Sequence, residues 1–308
     1  MGNTSVYVFT MSGINGTANY KATLFALSLL CYFAVWLTNT TIIVTILADR
    51  RLHEPMYIFL CNLCINGLYG TAGFYPKLLK DLLSSTHVIS YTGCLLQGFV
   101  LHSSLGADLS LLLLMAFDRY VAICQPLNYN SVMTKEKVGI FVFFAWFVPF
   151  YLVLVGSITT SLTRLCGSHI PRIYCINYMI HRLACTASIS AVIVPAVNYT
   201  VYILHFVVIT YSYACLIRNC LFSSVNRSKF MQTCLPHLLC LFIFLFSITL
   251  DLLYIRFGQD EISQNTKNFM AIAHVLITPL TNPVIYGMKL TKVRDRILKY
   301  LSCEKKTN

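Results

Sequence analysis

Seven stretches of this chain each supply the run of about 20 apolar residues that a helix needs to cross a bilayer. They lie near residues 23–48, 56–83, 93–124, 138–160, 191–216, 230–255 and 269–288. Hydrocarbon offers no water to satisfy backbone amides, so chains cross it as helices that bond internally or as closed barrels. The alternating pattern of barrel strands is absent. The expected fold is an all-α membrane protein, a seven-transmembrane-helix bundle. Composition agrees: 57% of residues are hydrophobic and 11% charged, against about 25% charged in soluble domains. No linker, low-complexity tract or internal repeat divides the chain.

Basic residues set the orientation. With the amino terminus outside, 15 of the 23 Lys and Arg fall on the inner side and 8 on the outer. Cytoplasmic loops carry such an excess. Residues 1–22 then read as an extracellular tail, 23–288 as the membrane domain, and 289–308 as a cytoplasmic helix and tail. The net charge of +12 is a signal of topology and lipid contact. Nucleic acid is not an expected partner, because no soluble domain presents a basic face. Residues 1–22 lack the apolar core of a secretory signal, so the first helix is expected to direct its own insertion. Asn3 and Asn15 head glycan acceptor triplets in that exposed tail. The triplets at Asn39, Asn198 and Asn226 lie within a helix, close to the membrane or on the inner side, and read as chance. After the seventh span, Val293, Ile297 and Leu301 recur every four residues, with Arg294, Asp295 and Lys299 on other faces. Residues 292–301 are expected to form a short amphipathic helix on the inner leaflet.

Thirteen cysteines sort by compartment. Cys94, Cys166, Cys175 and Cys185 fall on the oxidising outer side. Four cysteines allow three pairings, and spacing does not choose among them. The rest read as small apolar residues, with Cys303 either a palmitoylation candidate or a plain thiol. No spacing suggests zinc.

Charge inside the membrane is costly and marks function by default. Asp118-Arg119-Tyr120 sits at the end of a long apolar run, inside the string MAFDRYVAICQPLNY at residues 115–129. That string resembles the end of the third transmembrane helix of vertebrate olfactory receptors, a branch of the rhodopsin-like G-protein-coupled receptors. The likeness runs along nearly the whole chain. RLHEPMY at 51–57 matches the loop into helix 2. Ser212-Tyr213 matches the inner end of helix 5. KFMQTCLPHL at 229–238, with His237, matches the start of helix 6, although the family usually has Ser where Pro236 stands. Asn282-Pro283-Val284-Ile285-Tyr286 matches the inner end of helix 7. Arg256-Phe257-Gly258 and the string from Asn66 to Gly70 are most similar to the fish-type branch, which meets water-borne odorants.

The resemblance implies disulfides Cys94–Cys175 and Cys166–Cys185 in a long second outer loop. It implies a switch in which Arg119 pairs with Asp118 at rest. Protonation of Asp118 would release Arg119 to the hydroxyls of Tyr213 and Tyr286. Pro283 removes a helical hydrogen bond and makes a hinge, with Asn282 placed to bond the freed backbone. The bland alternative is that these residues only anchor helix ends, since Tyr is common at membrane interfaces. Most rhodopsin-like receptors hold sodium on a mid-helix Asp in helix 2; here that position is Gly67. Asp108, about three turns before Arg119, is the one carboxylate in the middle of a span. It is a candidate sodium ligand or a protonated polar core group.

A ligand site is implied in the outer half of the bundle. His102, Leu105, Gly106 and Leu109 face inward on helix 3. Asp251, Leu252 and Arg256 on helix 6, Tyr178 in the loop, and Val197 and Val201 on helix 5 lie across from them. Amine receptors carry an Asp where this chain has Leu101, which argues against a simple amine. Arg256 stands where acid-sensing members hold a carboxylate, and Arg can do so with two parallel hydrogen bonds. It could equally snorkel to headgroups or pair with Asp260. The expected function is odorant reception, with a small and water-soluble ligand. The partner that the resemblance implies is a stimulatory heterotrimeric G protein of olfactory type that raises cyclic AMP, with sensory cilia as the expected location. A non-olfactory chemosensory, peptide or metabolite receptor is the alternative. A transporter would show inverted repeats and several buried charges, and a channel polar pore rings. No phosphate loop, metal cluster or Ser-His-Asp set suggests an enzyme. No cofactor is expected beyond that allosteric sodium ion.

Overall fold

The computed structural model describes residues 8–12, 20–221, 224–257 and 263–304. Seven long helices form the bundle: α1 (Lys21–Ala48), α2 (Pro55–Leu83), α3 (Tyr91–Cys124), α5 (Lys135–Ser161), α7 (Ser190–Leu221), α8 (Ser224–Phe257) and α9 (Gln264–Lys289). Between them lie a single turn, α4 (Tyr129–Val132), and a short loop helix, α6 (Asn177–Arg182). A final helix, α10 (Thr291–Glu304), follows the bundle. Local signals start several helices. Pro55 is the first residue of α2, where its missing N–H costs nothing. The side chains of Ser90, Thr134 and Ser263 accept from Gly93 N, Lys137 N and Thr266 N at the starts of α3, α5 and α9.

Five of these helices, α1, α3, α5, α7 and α8, are long and apolar enough to cross a membrane by length and composition alone. The other two, α2 and α9, reach the same length with more polar sequences. They bury Asn66, Thr71, Thr278 and Asn282 against their neighbours. The apolar character read from the sequence was thus stronger in five spans than in α2 and α9. Every long helix also overruns its apolar segment, because helical hydrogen bonding continues into the polar flanks.

α3 is the axis of the bundle and packs against α2, α5, α7 and α8. Its middle turns, from Ser103 to Leu112, are buried except for the half-buried Leu105. The outward faces of α1, α5 and α7 expose Leu30, Phe33, Phe143, Val192 and Leu204. An apolar surface of that extent fits lipid and not water. The chain is a multi-pass membrane protein.

One end of the bundle is closed by a three-stranded sheet that the sequence reading missed, having taken residues 1–22 as tail only. β1 (Val8–Met11) lies between β2 (Val88–Ser90), antiparallel to it, and β3 (His169–Ile170), parallel to it. β1 alternates exposed and buried side chains, and its Phe9 is fully buried beside Tyr91. Burial of such a ring contributes about 1.5–3 kcal/mol. Four residues among Gly, Ser and Asn give no periodicity to detect; only the two edges supplied by distant loops make the strand. At the other end, α10 spans more than the expected 292–301. It buries Val293 and ties back through Arg296 to Asp49 (2.5 Å) and Lys292 to Glu54 (2.8 Å).

Candidate functional site

The end of α3 carries a closed polar knot. Asp118 is fully buried. Its Oδ2 accepts from Arg119 Nε at 2.8 Å, with a second contact from the same guanidinium. Its Oδ1 accepts from the Tyr129 hydroxyl at 2.8 Å. Both carboxylate oxygens are therefore engaged by charge-assisted bonds. Tyr129 comes from α4, and the sequence reading did not single it out. Burial first, and then the Asp118 carboxylate, push its phenol pKa well up, so it remains a donor.

Tyr213 does not meet Arg119 in this structure. Its hydroxyl bonds His237 Nδ1 and the two rings stack, with centroids 5.5 Å apart. Both residues belong to family motifs at helix ends, and the fold pairs them with each other, because α7 and α8 lie side by side there. Tyr286 is fully buried on α9, and it and His237 lie within electrostatic range of Arg119. Tyr120 turns to Gln125, whose Nε2 donates to its hydroxyl at 3.3 Å. Tyr120 and Gln125, with Cys215, Arg218 and Asn219, line a cavity of about 440 Å³ at this end.

Pro283 lies inside α9. Its ring leaves the carbonyl of Pro279, four residues earlier, without a helical donor. Asn39 on α1 fills that vacancy: its Nδ2 donates to Pro279 O at 2.9 Å and to Val35 O at 2.8 Å. Asn282, the residue expected to bond the freed backbone, is buried nearby, and among the described residues its Oδ1 has no partner. Asn39 was legible only as part of a chance glycan triplet.

In mid-bundle, Asp108 Oδ1 accepts from Asn66 Nδ2 at 2.7 Å, and the same amide donates to Ser104 O at 2.8 Å. Gly67 faces Asn39 and Pro279. A Cβ there would stand 3.3 Å from Asn39 Oδ1 and 3.4 Å from Pro279 Cβ. A side chain at this position would be crowded by both neighbours. Among the described residues, no three His, Cys, Asp or Glu side chains converge on one point.

The opposite end is held by two disulfides. Cys94–Cys175 fastens the start of α3 to the α5–α7 loop, and Cys166–Cys185 closes that loop on itself. Gln97 reinforces the first, accepting from Cys175 N at 3.0 Å and donating to Gly73 O at 3.2 Å. The loop is thereby folded inward, and its Arg172 is buried. Arg172 pairs with Asp251 of α8, donates to the Tyr174 hydroxyl at 2.8 Å and sits over that ring at 4.8 Å. His102 lies within electrostatic range of both charges, and Tyr199 within range of Asp251. His102 Nδ1 donates to Gly98 O at 2.8 Å.

The other expected ligand contacts divide. Leu105 is partly buried against the core and Leu109 lies within it. Gly106 is a close-approach point, where a Cβ would come within 2.5 Å of Pro149 Cβ and 3.1 Å of the Tyr202 hydroxyl. Val201 is half-buried. Tyr178, Val197 and Leu252 are 46%, 47% and 42% exposed. The side chain of Arg256, and Asn3, Asn15 and Asp260, lie outside the described residues. Arg172 and Tyr174 are the residues the sequence reading missed. The one signal was a basic residue between two outer cysteines, which as readily marks a solvated loop.

Comparison with known proteins bears on this arrangement. A family model described as olfactory receptor matches residues 27–305. The chain is 34% identical to olfactory receptor 52D1 of Homo sapiens over 277 residues, covering 88% of this chain and 86% of that one. It is 29% identical to olfactory receptor 6E1 of Mus musculus over 304 residues, covering 97% and 96%. It is 32% identical to olfactory receptor 1D2 of Pongo pygmaeus over 286 residues, covering 91% and 90%.

Proposed function

The chain belongs to the olfactory receptor family, and from that premise we propose that it binds a small, water-soluble odorant at its disulfide-bonded end and activates a stimulatory G protein at the other. The observation that carries this reading is the Arg172–Asp251 pair beside His102. A buried ion pair contributes little net stability and is costly to break on one side only. Its place at the mouth of the bundle suits recognition of a polar ligand. A carboxylate on the odorant competes with Asp251 for the guanidinium, which offers parallel N–H donors. Moving Asp251 moves α8, and α8 also carries His237, the partner of Tyr213. Release of that bond, with protonation of Asp118, frees Arg119 to meet the hydroxyls of Tyr213 and Tyr286. A G-protein tail then enters the cavity beside Tyr120 and Arg218.

The charge asymmetry of the loops supports an extracellular amino terminus and, with it, a cytoplasmic G-protein end. Sensory cilia are the corresponding location, and the strings at 66–70 and 256–258 support the water-borne branch. Asp108, with the unbonded Oδ1 of Asn66 beside it, offers oxygens of the kind that suit sodium. An Asp108→Ala receptor that keeps its sodium dependence would remove that role.

The test is a cyclic AMP assay on cells expressing the full chain, screened against carboxylic acids, amino acids, amines and alcohols. Acids or amino acids are expected to activate, and Arg172→Gln to remove that response. The double change Arg172→Met with Asp251→Leu controls for folding, since it leaves no unpaired buried charge. Activation by amines and alcohols alone would overturn the ligand class, and no cyclic AMP response to any agonist seen in a G-protein binding assay would overturn the coupling.

A further inference from the structure

A cavity of about 180 Å³ opens on the flank of the bundle between α3, α5 and α7. Its floor holds Ser110 and His205, and its walls are apolar, from Leu113, Leu114, Phe141 and Phe144. Phe144 is 52% exposed on the same outward face of α5 as Phe143 and Phe147, so the mouth opens to the hydrocarbon. Ser110 lies eight residues after His102, about 12 Å along the helix, and this crevice is separate from the site under the α5–α7 loop.

The hydrogen bonds of the floor decide what can enter. His205 Nδ1 stands 2.8 Å from Val201 O, and a carbonyl only accepts, so Nδ1 carries the ring proton. An unpaired charge facing hydrocarbon is costly, so the ring is neutral and its Nε2 is an acceptor. Ser110 Oγ is 3.0 Å from Gly106 O and 3.2 Å from that Nε2. Its single proton serves one or the other. Both donors of the floor are thus committed, while acceptor capacity remains on Ser110 Oγ or His205 Nε2. Polar groups facing a hydrocarbon-filled crevice are costly unless bonded. A hydroxyl donor completes them; a ketone, ether or ester, which only accepts, does not.

We propose that this crevice is a second, membrane-facing binding site, taking an apolar molecule with one uncharged hydroxyl that reaches it through the bilayer. The volume is below the roughly 300–1,000 Å³ of drug-sized pockets, so the occupant is a slender alcohol or the hydroxyl end of a longer one.

The test uses the full-length receptor in phosphatidylcholine nanodiscs with a diazirine-bearing aliphatic alcohol as the probe. After illumination, labelling is expected to saturate and to map to the segments around Leu113 and Phe141–Val148. Unlabelled decanol should compete, and decyl methyl ether should compete roughly three- to tenfold less well, the usual effect of one lost hydrogen bond. Ala145→Trp, which fills the cavity, should abolish saturable labelling. Val148→Trp fills it from another part of the wall and keeps the test open if the first variant does not fold. Removing both acceptors, with Ser110→Ala and His205→Leu together, should leave alcohol and ether equal as competitors. Labelling that does not saturate, equal competition by ether on the unaltered receptor, or labelling unchanged in a folded Trp variant would each overturn the proposal.

Discussion

Two residues to which the sequence motifs assign no role govern how the helices meet. Asn39 donates to the carbonyl that Pro283 orphans on α9, so the hinge is fastened to α1. Asn39→Leu is expected to strand a buried acceptor at a cost of about 1–3 kcal/mol, visible as a lower melting temperature of the purified receptor; an unchanged melting temperature would show that the bond does not matter. Tyr129 holds the second oxygen of Asp118. Tyr129→Phe removes about 1.5–3 kcal/mol from the resting arrangement, as for other bonds to charged groups. That is enough to move a two-state balance by about tenfold or more. Basal cyclic AMP should rise with surface expression unchanged. A basal level equal to the parent would count against Asp118 as the resting clasp.

At the scale of elements, the α5–α7 loop behaves as a lid pinned at several points. The Cys94–Cys175 bond, the Gln97 contacts and the β1–β3 pairing all converge on it. Loss of a native disulfide typically costs about 2–5 kcal/mol. Cys175→Ser should therefore reduce surface receptor sharply, as read by flow cytometry. Within the lid, His181 Nε2 lies 3.0 Å from Thr160 Oγ1, and burial holds its imidazole pKa below the usual 6.5. The folded lid thus favours the neutral ring. As pH falls through 6.5 toward the lowered value, the unfolded chain takes up the proton first, and the stability that His181 contributes declines. The melting temperature should drop between about pH 7 and pH 5 in the parent and drop less in His181→Gln. Equal drops would assign the effect to other groups.

For the whole molecule, orientation is the property on which both sites depend. If the disulfide end is extracellular, Asn3 and Asn15 enter the secretory lumen and carry glycans. Enzymatic deglycosylation should then lower the apparent mass of the expressed receptor, and the double change Asn3→Gln with Asn15→Gln should abolish that shift. A parent receptor whose mass does not respond while it stands at the cell surface would argue against the tail being modified. The same orientation puts α10 on the inner leaflet, where its ties to Asp49 and Glu54 hold the end of α9 against the α1–α2 turn.

The sequence by itself determined the class of molecule. Hydropathy is a local property, and a run of apolar residues has one physical solution in hydrocarbon, so the helices, their number and the family motifs at their ends were legible along the chain. Even there, α2 and α9 were less apolar than the reading supposed, because helices surrounded by others can bury polar groups. Pairing was decided only by tertiary structure. Arg172 and Asp251 are 79 positions apart and Asn39 and Pro279 are 240 apart, and each had several partners of suitable chemistry. Tyr213 had two, Arg119 and His237, and the side-by-side packing of α7 and α8 chose. β1 likewise exists only where two loops present their edges. Which residues are polar is written in the chain; which of them meet is set by how the helices pack, and that packing decides what the ligand and the switch can touch.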